Sequence, residues 1–303
     1  MSMRLRFFTL DVFTTRRFAG NPLAVVLGAD GLDGATMQTI AREFNLSETV
    51  FALEPRDPVN TARLRIFTPL RELPFAGHPT IGAAVLLASQ RAPEMLARNG
   101  VVIALEEEIG LVRCEVVKDA SGAVLARFAA PRLPIRGERT PEVEPLALAL
   151  GLSAEDIGFG RHIPSSFSVG VELLFVPIRS RAALDRARPD FAAFPAIMGE
   201  AVGAYLYTSE TTEPASAVSA RMFANGVGIG EDPATGAAAA AFAGVAHAFE
   251  APEDGEHEFV IEQGYAMGRP SRIVLGSRIE AGRLAAVTVA GHAVEVQRGE
   301  LEI

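Results

Sequence analysis

An α/β chain built as two similar domains is what the sequence predicts, and three observations carry the prediction. Strand-like and helix-like segments alternate through the 303 residues. A proline-rich stretch, Pro131 to Pro145, interrupts that alternation near the middle and reads as a connection between domains. On either side of it the same order recurs: a strand, a glycine-containing turn, then a helix rich in small residues. With 49% hydrophobic and 21% charged residues, the chain can bury two ordinary cores. The expected domains are 1–131 and 132–303, with the last strand able to return to the first domain.

In the first half, strands are expected at Arg4 to Val12, Pro22 to Leu27, Thr49 to Leu53 and Arg63 to Phe67. Met37, Ile40, Ala41 and Phe44 recur at helical spacing and predict a helix over Leu32 to Phe44. Asp33 or Asp30 would cap its start, and Asn45 stands where a left-handed terminating residue is expected. A second helix should begin near Thr80 and run through Ala88. Strands follow at Val101 to Leu105, Gly110 to Val117 and Val124 to Ala129.

In the second half, strands are expected at Leu173 to Pro177 and Val218 to Phe223, then a helix over Ala237 to Phe249. Four more strands close the chain, at Phe259 to Gln263, Ser271 to Ile279, Arg283 to Ala290 and His292 to Arg298. The segment Phe75-Ala76-Gly77-His78-Pro79-Thr80 before one small-residue helix matches Glu231-Asp232-Pro233-Ala234-Thr235-Gly236 before the other, which suggests a duplication.

Gly82, Ala83 and Ala84, and Gly236 through Ala241, would let each helix lie deep inside its sheet. The N-terminus of such a helix presents unpaired N–H groups and a positive dipole end, an anion site that needs no cationic side chain. An alanine-rich helix by itself reads first as packed core, so the polar residues at its entrance matter. Glu48, in Asn45-Leu46-Ser47-Glu48-Thr49, stands at a strand start. There it is either a general base whose partial burial suits proton transfer at carbon, or a solvated carboxylate capping the turn. His78, fixed between Gly77 and Pro79, can polarise a substrate carboxyl or shuttle a proton. Glu231 and Asp232 precede the second helix, where acidic residues favour the dipole. Asp232 is also placed to orient an amino or hydroxyl group.

Other chemistries are poorly represented. A net charge of −9 and a pI near 5.2 oppose nucleic-acid binding. Met1 to Leu10 is basic, then apolar, and is interrupted by Asp11, so it reads as the first strand rather than a signal segment. The run Ala237 to Phe249 is shorter than the ~20 residues that span a bilayer, and a cytoplasmic enzyme is expected. Cys114 is the single cysteine, which excludes an intramolecular disulfide and a thiolate metal cluster. No phosphate loop, zinc helix or Gly-x-Ser-x-Gly elbow occurs. The run Asn225 to Gly230 lacks the spacing of a dinucleotide site.

The chain resembles the PhzF-like family of phenazine-biosynthesis isomerases, similar in fold to diaminopimelate epimerase. The resemblance spans nearly the full length. It is carried by Asp11-Val12-Phe13-Thr14, Phe18-Ala19-Gly20-Asn21-Pro22, Asn45-Leu46-Ser47-Glu48-Thr49, Phe67-Thr68-Pro69, Leu73 through Thr80, and Glu231 through Gly236. It implies two domains, each a curved, barrel-like mixed sheet around a central helix, with the active site in the cleft between them. It implies a homodimer, no cofactor and no metal. It implies further that Glu48 is the acid/base that shifts a proton and double bond on a small carboxylated, cyclic substrate of the trans-2,3-dihydro-3-hydroxyanthranilate type. His78 and Asp232 would contact substrate, Gly77 and Gly236 would offer backbone donors, and Asn21 and Ser47 belong to the same substrate-binding set. The family commonly has serine where this chain has Ala237, a change that removes a hydrogen bond worth ~1 kcal/mol or more. Asn225 stands near a position where the family often has proline.

Two alternatives remain open. A non-catalytic metabolite-binding protein would keep the cleft and lose turnover. An amino-acid epimerase would have to work with one base, because the two-cysteine mechanism is excluded by the cysteine count.

Overall fold

The computed structural model describes residues 3–224 and 230–303. The chain forms two compact units, Met1–Ala129 with Ala290–Ile303, and Ala130–Val289. Among the described residues no helix is long and apolar enough to cross a membrane.

In chain order the first unit contains β1 (Arg4–Val12), β2 (Asn21–Leu27), α1 (Gly34–Phe44), β3 (Glu48–Leu53), β4 (Ala62–Phe67) and β5 (Glu72–Leu73). There follow α2 (Gly77–Arg91), α3 (Pro93–Arg98), β6 (Val101–Glu107), β7 (Gly110–Lys118) and β8 (Val124–Ala129). The second unit contains β9 (Ile135–Arg136), α4 (Val143–Ala149), β10 (Ser165–Ser168), β11 (Glu172–Pro177), α5 (Arg181–Arg186), α6 (Phe194–Met198) and β12 (Gly203–Thr208). It continues with β13 (Val218–Ala224), β14 (Glu231–Asp232), α7 (Gly236–Glu250), β15 (Gly255–Gln263) and β16 (Ser271–Glu280). The final strand, β17 (Arg283–Glu302), carries the chain back to the first unit.

In the first unit β1 pairs antiparallel with β2, β2 parallel with β3, β3 antiparallel with β4, and β4 parallel with β6. Antiparallel pairs β6–β7 and β7–β8 follow, and β17 pairs with both β8 and β1. The pairings therefore close a ring of eight strands, which leaves no open edge. Inside it α2 touches β1, β2, β3, β6, β7 and β8. Every residue from Gly77 to Ala88 is buried. Small residues permit that fit: a Cβ on Gly82 would lie 2.5 Å from Leu23 Cδ2 and 2.9 Å from Val12 Cγ2. Outside the ring, α1 starts with the Asp33 carboxylate accepting the Thr36 N–H at 2.8 Å and ends at Asn45 in the left-handed region. Its Met37 and Ala41 pack with Val26, Phe51 and Phe67.

The second unit repeats the pairing order. β10 and β11 are antiparallel, β11 and β12 parallel, β12 and β13 antiparallel, β13 and β15 parallel, and β15 and β16 antiparallel. Short β14 folds back on β13 before α7, as β5 folds back on β4 before α2. Side-chain bonds repeat as well. Glu106 accepts the N–H groups of Arg56 and Asp57, and Glu262 accepts those of Thr212 and Glu213. Arg65 makes a two-bond pair with Glu72 and stacks over Phe67, while Arg221 makes the same pair with Glu231 and stacks over Phe223.

Several elements differ from the sequence expectation. The helices start at Gly77 and Gly236 rather than at Thr80 and Ala237; α2 takes in Pro79 because a proline in the first helical turn gives up an N–H that has no helical partner. β12 escapes period-two reading because all six residues are buried. The proline-rich stretch 131–145 contains β9 and the start of α4. Two expected closing strands are one, β17, running through Gly291. That glycine lets the chain pass Phe13: a Cβ there would lie 2.2 Å from Phe13 Cδ1, on a ring that is fully buried. Gly291→Ala should therefore destabilise the protein by about 1–3 kcal/mol through overpacking, measured by urea denaturation.

Candidate functional site

In the first unit the polar residues singled out above converge. The parallel register sets Glu48, the first residue of β3, beside Leu23 of β2, two residues beyond the fully buried Asn21. His78 is the second residue of α2, and its Nε2 lies 3.4 Å from Glu48 Oε2, with side-chain exposures of 5% and 15%. Ser47, just before Glu48, is buried too.

The protonation of His78 follows from its surroundings. Burial pushes its pKa down to about 3, against the smaller opposing effect of a hydrogen bond to the Pro22 carbonyl. At neutral pH the ring is uncharged and has one N–H. Nε2 has no hydrogen-bond partner, so the bond to Pro22 runs from Nδ1–H. The Nε2 lone pair is therefore turned toward the Glu48 carboxyl. This arrangement accepts a hydrogen bond from a protonated Glu48 or from a ligand group; it does not provide a fixed positive charge.

Gly77 and His78 are the first two residues of α2, and Ala76 supplies no side-chain cap. Pro79 has no N–H, so the first turn offers two backbone donors, on Gly77 and His78.

In the second unit, Asp232 ends β14, and Gly236 and Ala237 open α7, again without a side-chain cap. The Asp232 carboxylate accepts from Thr235 Oγ1 at 2.5 Å. Gln263 ties the turn together, its amide donating to the Asp232 carbonyl at 2.8 Å and to Thr235 Oγ1 at 3.0 Å, while its Oε1 accepts the Thr235 N–H. Tyr205 donates to the same Oε1 at 3.3 Å, and burial pushes its phenol pKa up. Glu231 does not cap the helix; both its oxygens bind Arg221.

Thr235, Gln263, Tyr205 and Arg221 are absent from the sequence-derived set. Thr235 lies inside a quoted motif, whereas the others are joined to it only by strand pairing. Asn225 and the run after it, through Ile229, lie outside the described residues.

Residues 10–299 match the family model described as phenazine biosynthesis-like protein. The chain belongs to this phenazine biosynthesis-like (PhzF) family. It is 46% identical to an uncharacterized isomerase of Mesorhizobium japonicum over 97% of each chain. It is 34% identical to the trans-2,3-dihydro-3-hydroxyanthranilate isomerase of Pseudomonas chlororaphis, over 96% of this chain and 97% of that one. A PhzF-family phenazine biosynthesis protein of Bacillus anthracis has the same fold, with a TM-score of 0.89 at 26% identity, covering 99% of this chain and all of that one. This member of the PhzF family is accordingly an isomerase, built on the epimerase-like fold that its motifs imply.

The neutral state of His78 has a measurable consequence. A depressed folded-state pKa makes a stability contribution that is complete above the unfolded value of about 6.5 and is lost as pH falls toward 3. The protein should lose about 2 kcal/mol between pH 8 and pH 5 from this group, a loss absent in His78→Gln, read by denaturant titration at both pH values. In the wild type the His78 ring resonance should not titrate between pH 5 and 8 by NMR.

Proposed function

We propose that this isomerase moves a proton and a double bond on a small carboxylated, cyclic metabolite, with Glu48 as the acid/base. The observation that carries the reading is the Glu48–His78 contact: a carboxyl faces the lone pair of a buried, neutral imidazole at 3.4 Å. Glu48 as carboxylate takes a proton from a carbon next to the unsaturated system. The C–H electron pair moves into that system, the double bond shifts by one position, and Glu48 returns the proton to the far carbon. Electrons and atoms balance within the substrate, so neither oxidant nor cofactor is consumed. His78 accepts the Glu48 proton as a hydrogen bond during the interval between the two transfers. The N–H groups of Gly77 and His78 bind the substrate carboxylate, which stabilises the negative charge that develops when the proton leaves. Asn21 and Ser47 are assigned to substrate binding beside them.

In the second unit we assign Asp232 to a substrate amino or hydroxyl group and Gly236 to a backbone donation. The relation to a named trans-2,3-dihydro-3-hydroxyanthranilate isomerase at 34% identity supports that compound as the first substrate to test. Ala237, lacking a hydroxyl, is the position at which this chain departs from the family pattern for it.

The test is NMR of dihydrohydroxyanthranilate and related unsaturated cyclic amino acids in deuterated water. Wild type should incorporate deuterium at the migrating position, and Glu48→Gln should lower the rate by about 10²–10⁴-fold. An unchanged rate in Glu48→Gln would remove Glu48 as the base. Tight, saturable binding without exchange would favour a metabolite-binding protein. Ala237→Ser should tighten binding of dihydrohydroxyanthranilate by about five-fold, the equivalent of ~1 kcal/mol, by calorimetry.

A further inference from the structure

The first unit holds a second buried carboxyl that the proposed chemistry does not use. Glu107, the last residue of β6, is 8% exposed. Its Oε1 lies 2.8 Å from Thr80 Oγ1, and its Oε2 has no hydrogen-bond partner. Thr80 sits in the first turn of α2, two residues after His78. The Thr80 hydroxyl also lies 2.8 Å from the Ala76 carbonyl.

Counting protons decides the charge. The Thr80 hydroxyl has one hydrogen and faces two oxygens. If Glu107 were ionised, both would be pure acceptors and one contact would be left without a hydrogen, beside a buried and uncompensated charge. If Glu107 is protonated, its O–H donates to Thr80 Oγ1 and the Thr80 O–H donates to Ala76, so both bonds are made. Among the described residues no cation faces the carboxyl: the titratable group beside it is Cys114 on β7, whose thiol pKa is pushed up chiefly by burial, and His78, two residues before Thr80 on α2, is neutral. Glu106, the neighbour on β6, points to the opposite face and is bound to Asn60.

The repeat supplies an independent argument. Arg63 pairs with Glu106 in the parallel β4–β6 register, as Ser219 pairs with Glu262 in β13–β15. Glu107 therefore occupies the position of Gln263. That residue is a neutral amide, fully buried, and its bonds hold the turn before α7. Both residues reach from the end of the equivalent strand to the start of the unit's central helix.

We propose that Glu107 is a positioning residue that acts as a neutral carboxylic acid, fixing the first turn of α2 and with it His78, as Gln263 fixes the turn that carries Asp232. Desolvation raises its pKa to about 8, against the smaller lowering effect of the Thr80 bond. A group with a raised folded-state pKa contributes stability that is complete below its unfolded value, here about 4.5, and is lost progressively as pH rises from there to the folded value, above which it changes no further. The sensitive window therefore runs from about pH 4.5 to about pH 8, and its sign is opposite to that of His78, since stability falls as pH rises.

The experiment compares wild type, Glu107→Gln and Glu107→Ala. Melting temperature is followed from pH 6 to pH 9.5, and kcat and KM are measured at pH 7. Glutamine can donate to Thr80 as the protonated acid does. The expected result is a fall in melting temperature between pH 6 and about pH 8, levelling off above, in wild type that Glu107→Gln lacks, with kcat/KM within about two-fold of wild type in the glutamine variant and at least about ten-fold lower in the alanine variant. The same fall between pH 6 and 8 in Glu107→Gln, or equal impairment of the glutamine and alanine variants, overturns the proposal. Should Glu107→Ala fail to fold, the pH profiles of wild type and Glu107→Gln decide alone. The kinetic arm rests on the isomerase reading, whereas the melting profile does not, so failure of one is separable from failure of the other.

Discussion

The burial of a whole helix inside its own sheet governs this protein. α2 is surrounded by strands, and a helix so enclosed cannot satisfy its first N–H groups with water along its length. Only its N-terminus is left to meet a polar group, and its side chains must be small enough for strands to close around it. Gly82, Ala83 and Ala84 meet the second demand; Gly77 and His78, with no side-chain cap, leave the first one open. The same conditions recur at α7, where Gly236 through Ala241 open a helix with no side-chain cap.

Enclosure makes the entrance turn the critical segment, since a shift there would move the whole first turn. Each unit holds its turn from both sides. On the outer side an arginine of the preceding long strand grips the glutamate of the short returning strand, Arg65 to Glu72 and Arg221 to Glu231. From the following strand a buried neutral side chain, Glu107 or Gln263, reaches the turn or the helix start. The second pair of fixings is the drier, with Arg221 also donating to the carbonyls of Leu184 and Ala187.

The scaffold is duplicated, but its chemistry is not. In the repeat, His78 falls opposite Ala237, Asp232 opposite Leu73, and Glu48 opposite Gly203, because the strand registers and helix starts align these positions. One half keeps a carboxyl against a neutral imidazole; the other keeps a carboxylate bound by a threonine that a glutamine orients. Shared backbone architecture with unshared side chains is what a site-level function requires, since the fold alone determines no chemistry.

Much of this was legible in the chain itself. The caps of α1, the strands with period-two alternation, the small-residue helices and the motif residues Glu48, His78 and Asp232 are local signals, set by spacing and residue type within a few positions. The family was legible for the same reason, since its motifs are short and contiguous. What required the tertiary structure was every relation between distant segments: the ring closed by β17 through Gly291, the fully buried β12, and the Arg–Glu pairs. The charge state of His78 and Glu107 belongs with these. A sequence shows that a group can ionise, but burial and the count of donors and acceptors around it decide whether it does, and both are made by residues far apart in the chain.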